Sequence, residues 1–195
     1  MHYKFKQGFT LVEILVVISI VTVLGSVVIF SYGNFNDRLA LSSAAQEVAL
    51  AIRQAQTYGI NVKETTMGGG DFTKAFGVYF TQTSGQNKAY YLFADKNSDK
   101  KYSSATGSCG GECVELDDLR DGVYISSIGG SCPPANGSTA LHITFLRPNP
   151  DAVISFTNGL GLTCTDQSNG IITLMSARGS TAIITVYKTG QIEVK

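Results

Sequence analysis

The sequence predicts an α+β protein, a long amino-terminal helix leading into a β-rich head, on three observations. Residues 9–30, FTLVEILVVISIVTVLGSVVIF, form one apolar run whose single ionisable side chain is Glu13. Leu41, Ala45, Val48, Ile52 and Ala55 then recur every three or four residues, the spacing of a helical stripe. Beyond Gly59 the apolar residues fall into short, partly alternating segments punctuated by Gly, Asn, Ser and Pro, which is strand and turn patterning. The organisation that follows is a basic leader (1–8), an apolar helix (9–33), an amphipathic helix that packs on the head (34–59) and the head itself (60–195). A chain of 195 residues that is 44% hydrophobic and only 15% charged is not a disordered tail. Its 15 Lys and Arg balance 15 Asp and Glu, so no global excess of positive charge advertises nucleic acid as a partner.

A helix over residues 9–30 would be about 33 Å long, enough to cross a hydrocarbon core. His2, Lys4 and Lys6 precede it without an acid, which places the amino terminus in the cytoplasm and the head outside. A secretory signal, a plain anchor and a buried core helix each explain part of this. The run is longer than a signal-peptide core and no convincing A-x-A element follows Phe30. A plain anchor leaves Glu13 unexplained, because a carboxylate at mid-membrane costs roughly 2.5–3.5 kcal/mol and marks a functional residue that needs a cation.

Gly8, Phe9, Thr10, Leu11, Val12 and Glu13, behind a basic leader and ahead of the apolar run, resemble the processing site of type IV prepilins and pseudopilins. The resemblance implies a type IV pilin-like fold whose first half spans the membrane. It also implies a prepilin peptidase that cuts between Gly8 and Phe9 and methylates the new amino terminus at Phe9, leaving Glu13 as the fifth mature residue. The partners implied are other pilins or pseudopilins, met through this helix, and an inner-membrane assembly platform. The location implied is the bacterial inner membrane, followed by a periplasmic or surface filament. Physically, glycine leaves the scissile bond unobstructed, and the ammonium freed at Phe9 can neutralise Glu13 of a neighbouring subunit. Family members often carry proline where this chain has Phe30; Gly25 or Gly33-Asn34 would have to soften the helix instead. An alternative breaks the long helix in two at Gly33-Asn34.

In the head, strands are expected at 76–81, 88–94, 122–128, 141–146, 152–157, 171–175, 182–187 and 191–194, the last two joined through Lys188-Thr189-Gly190 as a hairpin. The segments SAAQEVALAIRQAQTY, YYLFADKNSD and ITLMSARGSTAIITVYKTGQIEV are similar to the GspH/FimT group of minor pilins and pseudopilins. That resemblance implies a minor subunit at or near a filament tip, with no enzymatic activity.

Cys109, Cys113, Cys132 and Cys164 all lie on the exported side, where disulfides form. Four cysteines permit three pairings; Gly110-Gly111 would let Cys109 close on Cys113, leaving Cys132 for Cys164. A tetrathiolate zinc site is the alternative, without the usual CxxC pairs. Asp95, Asn97 and Asp99 alternate as oxygen ligands do in calcium loops, with Glu112, Glu115, Asp117 or Asp118 to complete a Ca2+ site. Lys100 at the sixth position and Thr106 at the twelfth depart from that pattern, and Asp, Asn and Ser equally favour a turn after the preceding strand. No other cofactor is expected.

His142 is the sole histidine outside the leader. It alternates with Leu141 and Ile143, which predicts the solvated face of a strand rather than a catalytic site. No H-E-x-x-H, G-x-S-x-G or Walker A element occurs, and Gly68-Gly69-Gly70 reads as a loop. For DNA, the alternative partner, the candidate contacts are Arg178, Lys188 and Lys195. The remaining alternative is an anchored β-domain with an activity of its own.

Overall fold

The computed structural model describes residues 8–61, 73–103, 109–120, 122–132, 137–158, 161 and 163–195; the side chains of residues 28–31, 34 and 163 are outside this set. Two compact units result, Met1–Asn36 and Asp37–Lys195.

Helix α1 (Leu11–Ile60) is assigned without a break through Gly25, Gly33 and Asn34, so two separate helices do not form. In the amino-terminal unit its described apolar run ends at Val27. Seventeen residues from Leu11 rise about 26 Å, short of a hydrocarbon core of roughly 30 Å. Among the described residues no helix is long and apolar enough to cross a membrane. Residues 28–30, which would complete the expected crossing, contribute no described side chain.

In the second unit the carboxyl-terminal part of α1 carries the stripe read from the sequence. Leu41, Ala45, Val48, Ile52 and Ala55 are all buried, joined by Ala44 and Ala51. They pack into one core with the inward faces of two antiparallel sheets. The strands are β1 (Ala75–Thr81), β2 (Ala89–Asp95), β3 (Cys113–Asp118), β4 (Tyr124–Gly130), β5 (Ser138–Phe145), β6 (Ala152–Asn158), β7 (Thr163–Cys164), β8 (Asn169–Met175), β9 (Thr181–Tyr187) and β10 (Ile192–Val194). One sheet runs β3-β2-β1-β5-β6-β7 and the other β10-β9-β8-β4. In β8 and β9 burial alternates residue by residue, as a sheet with one wet face requires. The β9–β10 hairpin forms at its expected place: Gly190 has φ 80°, and its N–H donates to Tyr187 O at 2.8 Å.

Strands β1 and β2 are buried along their whole lengths. Their inward side chains, among them Val78, Phe80 and Leu92, join the main core. Tyr79, Tyr91 and Phe93 belong to a second, outer cluster with Tyr102 and Ala140. Phe93 sits opposite Gly77, where a Cβ would come within 2.9 Å of the Phe93 ring, 2.7 Å of Thr144 Cγ2 and 2.5 Å of Ile143 O. The glycine leaves room for an aromatic ring to cover the sheet. Gly77→Ala is expected to cost about 1–3 kcal/mol through overpacking, seen as a lower urea midpoint at unchanged slope.

Candidate functional site

The amino-terminal unit offers a helix surface of unusual composition. From Phe9 to Val27 every large apolar side chain is at least 49% exposed, with Phe9 at 81%. A helix apolar around its whole circumference belongs inside lipid or other protein. Its hydroxyl groups are turned inward. Ser19 Oγ donates to Leu15 O at 2.8 Å, Thr22 Oγ1 to Ile18 O at 2.7 Å, and Ser26 Oγ to Val23 O at 2.8 Å. Such back-bonding satisfies a hydroxyl where water is absent. Glu13 remains as the one ionisable side chain of the stretch.

Thr10 caps the helix: its Oγ1 accepts the Glu13 N–H at 3.2 Å, placing Glu13 at the third helical position. This is the T-x-x-E arrangement, with the carboxylate beside the positive end of the helix dipole. The sequence places Thr10 within the motif; its capping bond is seen only in the structure. Phe9, Glu13, Ile14, Val17 and Ile18 line one shallow apolar hollow on the helix surface. Gly8 is exposed, and no neighbouring atom lies within 4 Å of the place a Cβ would take. The leader charges His2, Lys4 and Lys6 lie outside the described residues, as do Gly68-Gly69-Gly70 and Thr106.

In the head, disulfides join Cys109 to Cys113 and Cys132 to Cys164, with Cα separations of 5.1 and 6.0 Å. The cysteines are thereby consumed and no tetrathiolate forms. Cys132 follows β4, an edge strand of one sheet, and Cys164 lies in β7, an edge strand of the other, so the second bond staples the two sheets.

Asp95, Asn97 and Asp99 do come together, with Ser103 and Glu112. Asp95, 2% exposed, accepts the Asp99 N–H (3.0 Å) and the Lys100 N–H (2.9 Å). Asn97 Oδ1 accepts the Asp99 N–H at 3.0 Å, and Asp99 Oδ1 accepts the Lys101 N–H at 2.9 Å. Glu112 reaches in from the far end of the connection, its Oε2 accepting the Ser103 N–H at 2.8 Å. Side chains thus satisfy the backbone of a tight turn in which Ser98 and Lys100 take φ of 64° and 61°. Among the described residues no group of three or more His, Cys, Asp and Glu could hold a metal ion.

Glu115, Asp117 and Asp118 stand apart from this turn, on β3. Glu115 Oε2 accepts from Gln54 Nε2 at 3.3 Å. Burial, then the neighbouring Glu115, pushes the Asp117 carboxyl up; burial, then Asp117, pushes the Tyr90 phenol up.

The three DNA candidates do not present uncompensated charge as a group. Lys188 Nζ pairs with Asp166 Oδ2 at 2.9 Å and Lys195 Nζ with Glu193 Oε1 at 2.9 Å, while Arg178 lies in the β8–β9 turn. His142 corrects the expectation drawn from alternation. It is 2% exposed, because Tyr102, on the chain that follows β2, lies over the outer face of the sheet and covers the strand. Nothing in the local alternation of β5 signals a cover supplied from some forty residues away.

The described amino-terminal helix is thus capped, apolar on every face and marked by one carboxylate, ahead of a β-rich head. Residues 3–29 match the family model described as the prokaryotic N-terminal methylation motif. The chain is also similar to a fimbrial protein of Dichelobacter nodosus, 29% identical over 104 residues, 53% of this chain and 63% of that relative. It therefore spans less than two thirds of the relative's length. No solved structure matches. These matches support a type IV pilin-like chain whose amino terminus carries a prepilin-type methylation motif.

Proposed function

We propose that this chain is a minor pilin or pseudopilin of the GspH/FimT type, a structural subunit of a type IV pilus or a type II secretion-like filament. Prepilin peptidase cuts it after Gly8 and methylates Phe9. The helix resides in the bilayer through residues 9–30 and then moves among the helices of other subunits. The observation that supports this reading is the uninterrupted apolar surface from Phe9 to Val27, with Glu13 as its one charge, inside the matched methylation motif. Burial of that surface drives assembly, inward-turned hydroxyls permit close helix packing, and Glu13 sets register by pairing with the amino terminus of a neighbour. The head supplies a disulfide-braced surface for the outside of the polymer.

Shearing tests the reading and separates its two forms. Recovery of the chain in long sheared filaments is the outcome expected of a surface pilus. Retention in short, cell-associated polymers is expected of a pseudopilin. A chain found only as a membrane monomer, while its filament assembles normally without it, would contradict both.

A further inference from the structure

The connection after β2 does more than join two strands. Tyr102 inserts its ring between Tyr79 (5.0 Å between ring centroids), Tyr91 (5.2 Å, stacked) and Phe93 (5.6 Å) on the outer face of the sheet. Its backbone N–H donates to His142 Nδ1 at 3.0 Å, across forty residues of chain. That donor fixes the imidazole as the tautomer protonated at Nε2, which faces Thr157 Oγ1 at 3.2 Å. The ring also lies 4.9 Å from that of Tyr79, and its cross-strand neighbour is Ser155, whose buried Oγ has no hydrogen-bond partner among the described residues. Among the described residues no carboxylate is hydrogen-bonded to the imidazole, whose partners are the Tyr102 N–H and Thr157 Oγ1.

We propose that residues 96–103 form a strap held closed over the outer tyrosine face by His142, and that protonation of His142 releases it. A protonated Nδ1 cannot accept the Tyr102 N–H. The imidazolium would be a buried charge with two N–H donors where the closed strap needs an acceptor. Opening would uncover Tyr79, Tyr91 and Phe93, an aromatic face on a subunit destined for a polymer.

The groups around the imidazole set the direction. Burial, and then Lys101 on the strap, push His142 down to about 4, and Asp99 opposes weakly. Tyr79 on β1 and Tyr102 on the strap are uncharged at these pH values, while Ser155 and Thr157 on β6 do not titrate. The closed state binds its proton less tightly than a released imidazole of ordinary pKa near 6.5. Closure is therefore fully favoured above that value, weakens as pH falls from 6.5 towards 4, and changes no further below. The span corresponds to roughly a 300-fold rise in the opening equilibrium. Asp95, Asp99 and Glu112 also brace the strap as hydrogen-bond acceptors, so a control must separate their contribution from that of His142.

The test is hydrogen exchange at the Tyr102 amide of the full chain in detergent micelles, expressed as protection relative to an unstructured amide. Protection is expected to fall about 80-fold between pH 6.5 and 4. The Val78 and Ile143 amides should stay protected. In His142→Gln, whose side-chain carbonyl accepts but does not titrate, most of that fall should disappear. A wild-type protection that holds through pH 4, a loss shared with Val78 and Ile143, or an equal fall in His142→Gln would each overturn the proposal. Should the variant fail to fold, the wild-type imidazole resonances decide. Their midpoint should coincide with the loss of Tyr102 protection, and a midpoint near 6.5 with Tyr102 still protected would overturn it.

Discussion

Replacing Glu13 by Ala is expected to leave the chain inserted in the membrane and its head folded while removing it from filaments. The substitution takes a carboxylate out of an apolar run, so the cost of placing the helix in lipid falls. The loss appears at assembly, where the Phe9 ammonium of the neighbouring subunit would be left buried without a counter-charge. Removing one partner of a buried pair costs roughly 3–5 kcal/mol, more than a hundredfold in the equilibrium for incorporation. Part of the effect will come from the helix start, because Glu13 occupies the third position of the Thr10 cap and faces the positive end of the dipole. Glu13→Gln separates the two. It keeps a polar residue at the capping position and removes the charge, so it should assemble as poorly as Glu13→Ala if the charge matters. Quantifying the chain in membrane and sheared-filament fractions for both variants checks this.

The second large effect concerns the head. Opening the Cys132–Cys164 bond by substituting both residues with Ser is expected to cost roughly 3–4 kcal/mol on a chain-entropy estimate for its 32-residue separation. The Cys109–Cys113 bond, separated by four residues, should be worth only about half of that. The longer bond also joins β7 to the end of β4, the exposed edges of opposite sheets, so its loss frees two edges together. Thermal unfolding of the full chain in micelles should show the Cys132/Cys164 variant melting about 7–15 °C below the parent, and the Cys109/Cys113 variant falling by clearly less. Equal shifts would mean that the sheet-to-sheet staple contributes nothing beyond a local loop.

Much of this architecture was legible because its signals are local. The apolar run, the stripe from Leu41 to Ala55 and the alternation in β8 and β9 depend on spacing along one element, and each formed where spacing placed it. The Gly110-Gly111 loop likewise indicated which cysteines could meet. What escaped depends on neighbours distant in sequence. Strand β3 reads CVELDD, and its acids argue against a strand; it forms because Tyr90, Tyr91 and Leu92 offer a partner edge, where exposed charge is tolerated. Strand β7 is two residues long, held by β6 and by Cys164. His142 alternates as a solvent-facing residue should, and Tyr102 reverses its environment. In the candidate site, Gly8, Phe9 and Glu13 were legible as a motif, whereas the Thr10 cap and the inward-turned hydroxyls required coordinates.

Mass spectrometry of the native amino-terminal peptide bears most directly on the claim that this helix is matured for assembly. A peptide beginning at Phe9 with one added methyl group is the expected product. An amino terminus still beginning at Met1 in assembled filaments would contradict the account, since no new ammonium would then exist to meet Glu13.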